Sequence, residues 1–358
     1  MKKLLLATAV AALSVSAAQA APTVYGKIFI TTDYVNADND VDDSDSLQIN
    51  SNISRIGFKG SEAMTANTDV IYQLEYGIAV DGEDRTFQSR DTYLGLVNKD
   101  FGQFRFGRNY SVIDYINNVS VNEGYWYNLG PGSADFGDAN LIDALNLTDG
   151  NRVNNSIVWI APKYNDLPLA LALMYGADED FVVDSDDRSE GFGASLMFDP
   201  GMGFTAGVAY SNDLNIPGSI LRGTASVDLG NYMAYPVTVG AMYQQTDFDD
   251  SVGFGSEDED GFVISAEMGL NNFARPATVY AQYNNTSNID GFDNADSDQL
   301  VVGGTYEFKK NMIAHAYIGQ NSADLNDVQL LQDDGETLVT RGNDLDVFAI
   351  GGGLEYLF

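Results

Sequence analysis

Six carboxylates, Asp114, Glu123, Asp135, Asp138, Asp143 and Asp149, fall within residues 109–151, a stretch without Lys or Arg; the next basic residue is Arg152. Carboxylates can serve as acid–base catalysts, as metal ligands or as fixed charge. Acid–base work needs environments that push the pKa values of a pair apart. Hydrolytic chemistry also needs a nucleophile with a positioned base. The single histidine, His315, lies in Ile313-Ala314-His315-Ala316-Tyr317 with no serine motif beside it, and reads as an ordinary wall residue. No catalytic residue and no enzymatic activity are expected. With one His and no Cys, thiolate and multi-histidine zinc sites and disulfides are excluded. Asp38-Asn39-Asp40-Val41-Asp42-Asp43-Ser44-Asp45 looks like a calcium loop but lacks the glycine at position six and the glutamate at position twelve. Its reading is a solvated acidic loop tip. No cofactor is expected, beyond loose association of Mg²⁺ or Ca²⁺ with the acidic loops. Fixed charge is the chemistry that remains.

That charge must be held in place. A connection as long as 109–151 is uncommon and signals function or disorder. Its Tyr110, Tyr115, Tyr125, Trp126, Tyr127 and Phe136 argue against disorder, since disordered segments are poor in aromatics. The chain around it is exported. Lys2-Lys3, an apolar run from Leu4 to Val15 and Ala18-Gln19-Ala20 make a signal peptide over 1–20. The mature chain is expected to cover 21–358. The full chain carries 18 basic and 52 acidic residues, for a net charge of −34. Without Lys2 and Lys3 the count is 16 against 52, or −36. Nucleic acid is thus excluded as a partner, because it recruits basic patches.

The supporting elements are strands. Thirty-six Gly, 20 Tyr and 19 Phe accompany only 8 Pro. Side chains alternate faces along a strand, and apolar residues here keep to one parity. Val24, Gly26, Ile28, Ile30, Thr32 and Tyr34 oppose Tyr25, Lys27, Phe29, Thr31 and Asp33. Tyr72, Leu74, Tyr76 and Ile78 oppose Ile71, Gln73, Glu75 and Gly77. Phe348, Ile350, Leu354, Tyr356 and Phe358 oppose Val347, Ala349, Gly353, Glu355 and Leu357. Sixteen runs of this kind are predicted: 23–34, 47–60, 68–80, 90–97, 102–108, 154–162, 169–176, 191–198, 203–210, 221–228, 236–243, 262–269, 276–284, 299–308, 311–319 and 346–358. Short turns, such as Asp199-Pro200-Gly201-Met202 and Lys309-Lys310-Asn311, alternate with long Asp-rich connections at 35–46, 178–190, 247–260, 287–298 and 320–346. The expected fold is all-β: a 16-stranded antiparallel transmembrane β-barrel with long extracellular loops. Lipid would meet the apolar parity and a wet lumen the polar one. A secreted β-sandwich could share the alternation but gives no reason for long and short connections to alternate, nor for an aromatic terminus on the apolar face.

The residues resemble the Gram-negative general diffusion porins along essentially the whole mature chain. Val24-Tyr25-Gly26-Lys27 is similar to their first strand, and Ser54-Arg55-Ile56-Gly57-Phe58-Lys59-Gly60 to their second. Leu94-Gly95-Leu96 with Phe101-Gly102-Gln103-Phe104-Arg105-Phe106-Gly107-Arg108-Asn109-Tyr110 resembles the lead into their third loop. Arg152-Val153-Asn154-Asn155-Ser156-Ile157 resembles the strand leaving it, and the chain ends on Phe358, which the family uses in membrane assembly.

The resemblance implies a homotrimer in the outer membrane, in contact with lipid and lipopolysaccharide, with residues 109–151 folded into each lumen as a constriction loop. It assigns a basic wall to Lys27, Arg55, Arg90 and Arg152. Parity supports Lys27 and Arg55. Arg90 shares a face with Thr92, which is read as the lumen side, and Arg105 is a further candidate. Arg108 falls on the outer parity. Asp135-Phe136-Gly137 resembles the loop's constriction acid, with Asp138 beside it. The segment before Asp135, Asn128-Leu129-Gly130-Pro131-Gly132, departs from the family pattern. Facing rows of charge would filter ions and small hydrophilic solutes by size and charge. The expected function is passive diffusion with weak cation preference. The alternatives are a solute-specific porin, in which Tyr125-Trp126-Tyr127 would form an aromatic slide, or an acidic-loop adhesin or surface receptor with little conductance.

Overall fold

A computed structural model describes residues 22–38, 43–82, 87–129, 147–163, 167–177, 190–214, 216–249, 254–325, 329–331, 338–340 and 344–358. The strands are β1 (Thr23–Asp38), β2 (Asp43–Ser51), β3 (Arg55–Ala63), β4 (Thr68–Gly77), β5 (Gln88–Asn98), β6 (Gly102–Tyr110), β7 (Arg152–Ile160), β8 (Leu169–Gly176), β9 (Gly191–Phe198) and β10 (Phe204–Asn212). There follow β11 (Gly218–Asp228), β12 (Val237–Phe248), β13 (Glu259–Gly269), β14 (Ala277–Ser287), β15 (Asp296–Lys309), β16 (Met312–Asp324), β17 (Gln329–Leu331), β18 (Leu338–Thr340) and β19 (Leu345–Leu357). Each barrel strand pairs antiparallel with its neighbours in chain order, and β19 returns to β1 with Lys27 opposite Leu357 and Asp38 opposite Asp346. The sheet is closed. β17 and β18 form a separate hairpin outside it.

β2 and β3 both pair with β1, with Ser51 opposite Ile30 and Arg55 opposite Lys27, so they are two parts of one crossing strand. Sixteen strands therefore cross. The expected continuous run over 47–60 is broken at Asn52-Ile53-Ser54, where Ile53 takes a φ of +46°, a region that β-branched residues rarely enter. Several strands also outrun the sequence expectation. β1 and β2 extend through 35–38 and 43–46, β15 starts at Asp296, and β16 reaches Asp324. The connections read as long at 35–46, 287–298 and 320–346 are shorter than expected, because polar and acidic residues continue the ladder above the apolar band.

Apolar residues of the outer parity are exposed, among them Leu94, Phe106, Leu221, Ile264, Leu300 and Ile350. An exposed apolar belt around a closed sheet suits lipid, since closure leaves no unpaired backbone edge in hydrocarbon. At the seam, Gly26 and Phe358 exchange backbone hydrogen bonds of 2.9 and 3.1 Å. The Phe358 ring stacks near Tyr356 on the outer surface.

The inner surface departs from the expected uniform polarity. Val158, Met174, Ala209, Ile220, Met242, Val263, Val301 and Val347 point inward yet are buried. They are covered by the connection between β6 and β7, which folds into the lumen. Val112, Ile113 and Ile116 of its first 3₁₀ turn pack on the β7–β11 wall. Val119, Leu129 and Leu147 pack on Met242 and Val263. Tyr125 and Trp126 pack on Tyr317, Val301 and Val347. Each such side chain, once buried, contributes roughly 1.5–3 kcal/mol, so the loop needs an apolar bed to stay inside a water-filled barrel.

Candidate functional site

The half of the inner wall formed by β1 and β3–β7, together with β19, carries charge. Lys27 Nζ lies 3.5 Å from Glu355 Oε2. Arg55 Nε is 3.8 Å and Arg90 Nε 2.8 Å from the Glu75 carboxylate, to which Tyr25 also donates its hydroxyl hydrogen at 3.0 Å. Arg152 Nε is 3.1 Å from Asp91 Oδ1, and its guanidinium stacks 3.8 Å from the Tyr110 ring centre. Arg90 Nη2 donates to the Tyr110 hydroxyl at 3.3 Å. All four predicted basic residues thus face the lumen, but none stands alone. Glu75 and Glu355 were visible as polar-parity residues beside Leu74 and Leu354, and went unread as partners.

Arg90 reaches this cluster for a reason other than simple alternation. Its parity mate Leu94 is 60% exposed on the outer face, so the face shared with Thr92 is the outer one. Between Leu74 and Tyr76 the β4–β5 register shifts, with Leu74 opposite Thr92 and Tyr76 opposite Ser89. Glu75 therefore opposes both Arg90 and Asp91. A bulge of this kind re-aims side chains, and here Arg90 bonds Glu75 and Asp91 bonds Arg152. Arg105 stacks on Tyr93 at 4.8 Å. Arg108 keeps to the outer side, donating to Ser89 O and Asn154 Oδ1.

The opposite half is organised by a residue that sequence reasoning missed. Arg222 is fully buried; its Nε donates to Gln244 Oε1 at 2.7 Å. Its Nη1 lies 3.8 Å from Asp114 and its Nη2 3.3 Å from Asp149. One guanidinium thereby holds both the outgoing and the returning limb of the loop. The available signal was parity: Arg222 neighbours Leu221, which is 47% exposed on the outer face. Burial, and then the adjacent Asp149 charge, raises the Asp114 carboxyl well above the ordinary range, against the opposing pull of Arg222. Glu123 is likewise raised by burial, with His315 and Lys27 opposing the shift and Glu355 adding to it. His315 lies 3.5 Å from Glu355, next to the Phe29 ring. Asp135 and Asp138 lie outside the described residues, as do Asp143 and the proposed signal peptide.

The aromatic triplet divides its labour. Trp126 is fully buried, its indole N–H donating to Ala349 O at 3.3 Å. It sits over Gly319, where a Cβ would come within 2.6 Å of the indole ring. Gly124 takes a φ of +65° against Tyr317, and the Tyr125 N–H donates to the Tyr317 hydroxyl, which itself donates to buried Asp33. Gln282 fastens the middle of the loop, accepting from Val121 N at 2.7 Å and donating to Asn128 O at 2.9 Å. Glu259 accepts from Thr148 N at 2.9 Å and fixes the returning limb. Tyr127 alone of the triplet is exposed.

Between the two halves lies a cavity of about 340 Å³, lined by Ile53, Arg90, Tyr110, Asp114, Tyr115, Asn117, Tyr127, Asn128, Asp149, Asn151 and Arg152. Wall arginines and loop carboxylates meet across it. Among the described residues no group of three or more His, Asp or Glu is placed to hold a metal ion.

The closed barrel recurs in known proteins. The Gram-negative porin family matches residues 7–326. Outer membrane protein S2 of Salmonella typhi is 28% identical over 366 residues, covering 87% of this chain and 90% of its own length. Among solved structures, an anion-selective porin from Comamonas acidovorans superposes with a TM-score of 0.69 at 17% identity, over 95% of this chain and all of its own. The trimer form of OmpT from Vibrio cholerae superposes at 0.62 and 15% identity, over 94% of this chain and all of its own. The two structural likenesses establish the fold, and the family match extends over most of the strands. The chain belongs to the Gram-negative porin family and is an outer-membrane channel protein.

Proposed function

We propose that the channel passes ions and small hydrophilic solutes by passive diffusion, with weak preference for cations, and that the gap between the arginine wall and the inward loop is its constriction. One observation carries the selectivity. Lys27, Arg55, Arg90 and Arg152 share Glu355, Glu75 and Asp91, so the wall keeps little unpaired positive charge to attract anions. The chain's net charge of −34 concentrates cations at the mouth. At physiological salt the screening length is about 8 Å, so a permeating ion in a narrow gap feels these groups directly. The Comamonas relative is described as anion-selective; the pairing of wall cations favours the opposite sign here. The channel works as a homotrimer embedded in lipid and lipopolysaccharide, as the trimer form of OmpT supports.

Reversal potentials in a KCl gradient across planar bilayers test this reading. A modest potential of cation-selective sign is expected, with openings in steps of three. A potential of anion-selective sign would overturn the selectivity. A barrel that inserts without conducting would favour the adhesin or receptor alternative.

A further inference from the structure

We propose that a groove on the outer face of the barrel seats a membrane lipid whose head carries a primary ammonium beside its phosphate, of the phosphoethanolamine kind. The proposal rests on the reading above that the barrel is embedded in lipid, and is independent of what the pore conducts. The groove encloses about 390 Å³ between Tyr283 of β14 and Phe348 of β19. Exposed Leu300 and Val302 of β15 and Ile318 of β16 line it. Strand alternation puts Asp298 on the lipid-facing parity with Leu300, and Gln320 and Ser322 on that parity with Ile318. In the β15–β16 register Asp298 lies opposite Ser322, and Leu300 opposite Gln320. The apolar groove therefore ends, toward the long connections, in a carboxylate beside a hydroxyl and an amide, and all three border it.

The carboxylate is fixed in this position and exposed. Tyr283 donates its hydroxyl hydrogen to Asp298 Oδ1, and Asn285 Nδ2 donates to the same oxygen at 3.1 Å. Both bonds fall on Oδ1, so Oδ2 keeps its accepting capacity. A tyrosine with an apolar body and a polar tip suits the level at which hydrocarbon meets head groups. Charge decides the kind of head. Among the described residues of β14, β15, β16, β19 and their short turn, the basic groups are Lys309 and Lys310 at the opposite end and His315, which is buried on the inner side. Exposed Asp296 and Asp346 share the lipid-facing parity with Asp298, and Asp346 lies opposite Ser322. A head carrying phosphate alone meets these carboxylates with no counter-charge. An ammonium offers Asp298 three N–H donors, while the Gln320 amide and the Ser322 hydroxyl are neutral donors to the phosphate beside it. The acyl chain of the same molecule covers Leu300, Val302 and Ile318.

The test is native mass spectrometry of the whole protein in detergent, titrated with phosphatidylethanolamine, phosphatidylcholine and phosphatidylglycerol of identical acyl chains. Phosphatidylethanolamine should half-saturate at a concentration about fivefold below the other two, the upper scale of one exposed ion pair. Phosphatidylcholine keeps the positive charge but has no N–H to donate, and phosphatidylglycerol has no cation. Asp298→Asn should abolish the preference while keeping an oxygen for Tyr283. Leu300→Ala should weaken all three lipids alike, because it removes contact with the chain and not with the head. Equal binding of the three lipids, or a preference that survives Asp298→Asn, would overturn the site. So would binding of phosphatidylglycerol that leads only when Ca²⁺ is added, which would show a metal bridging phosphate to the rim. If Leu300→Ala separates the protomers and leaves lipid retention unchanged, the groove seats a second copy of the chain and the proposal falls. Any of these results with normal stepwise conductance leaves the channel standing. A protein that does not insert into bilayers would overturn the embedding and the groove together.

Discussion

The two halves of the inner wall obey the same strand alternation and yet carry opposite chemistry. From β7 round to β16 the inward positions include Val158, Met174, Ile220, Met242, Val263 and Val301, all buried beneath the loop. On the other half the inward positions are Lys27, Arg55, Glu75 and Arg90, joined by Glu355 of β19; they pair with one another, and Arg90 lines the gap. Polarity inside the barrel follows what covers each residue. Where the loop lies on the wall, water is excluded and apolar side chains add to the stability of the loop. Where it does not, charged groups pair with one another, and Arg90 and Arg152 reach the gap. Arg222 is the exception that joins the halves, a cation on the covered side whose burial is offset by two loop carboxylates and Gln244.

Detaching the loop from its bed should give the largest effect. Trp126→Ala removes a fully buried indole and its hydrogen bond to Ala349, and truncations of this kind cost about 3–5 kcal/mol. Thermal unfolding in detergent should shift down and open-channel noise should rise. Gly319→Val should do similar damage from the wall side by colliding with the same ring, and combining it with Trp126→Ala should recover part of the loss. If the double variant is as poor as the sum of the singles, the two residues do not form one anchor.

Next comes Arg222→Gln, which leaves Asp114 and Asp149 facing each other without their cation. Removing one partner of a buried pair costs about 3 kcal/mol or more. The variant should be less stable at pH 7 and recover on acidification, as the pair takes up a proton. A stability loss that does not depend on pH would show that packing alone is at stake.

On the charged half the effect is smaller and appears in permeation. Glu75→Gln frees Arg55 and Arg90 from their shared carboxylate. One unit charge at about 4 Å in water is worth about 1 kcal/mol, so reversal potentials should move toward anion preference by up to that amount. An unchanged potential would mean that the wall charges do not border the permeation path.

The smallest expected effect is that of pH on the native channel. Asp114 and Glu123 are both raised by burial, so on acidification they gain protons before exposed carboxylates do. Cation preference should therefore begin to decline at a pH above the ordinary carboxylate range, while exposed acids are still charged. A decline confined to lower pH would place the titrating groups among the exposed acids.

Much of this was legible from residue order. Parity along 23–34 put Lys27 inward, and the same rule, applied to Leu221-Arg222-Gly223, would have found the loop's buried anchor. Parity misled at Arg90, where one extra residue in β5 turns its side chain, and that of Asp91, toward Glu75 and Arg152. A bulge depends on which residue of the neighbouring strand lies opposite, which no single strand records. The interruption at Asn52-Ile53-Ser54 was hidden for the same reason, since it is defined by two segments sharing β1. The triplet Tyr125-Trp126-Tyr127 was visible as a feature. Its division into two packed rings and one exposed ring depends on Gly319 and Tyr317, nearly two hundred residues away.

By itself the sequence determined the export, the acidity, the sixteen crossings and which parity meets lipid, because a period of two is a local property of each strand. The tertiary structure decided which charges find partners across the lumen and which inward residues the loop covers. Those are contacts between distant segments, and closure of the barrel brings them together.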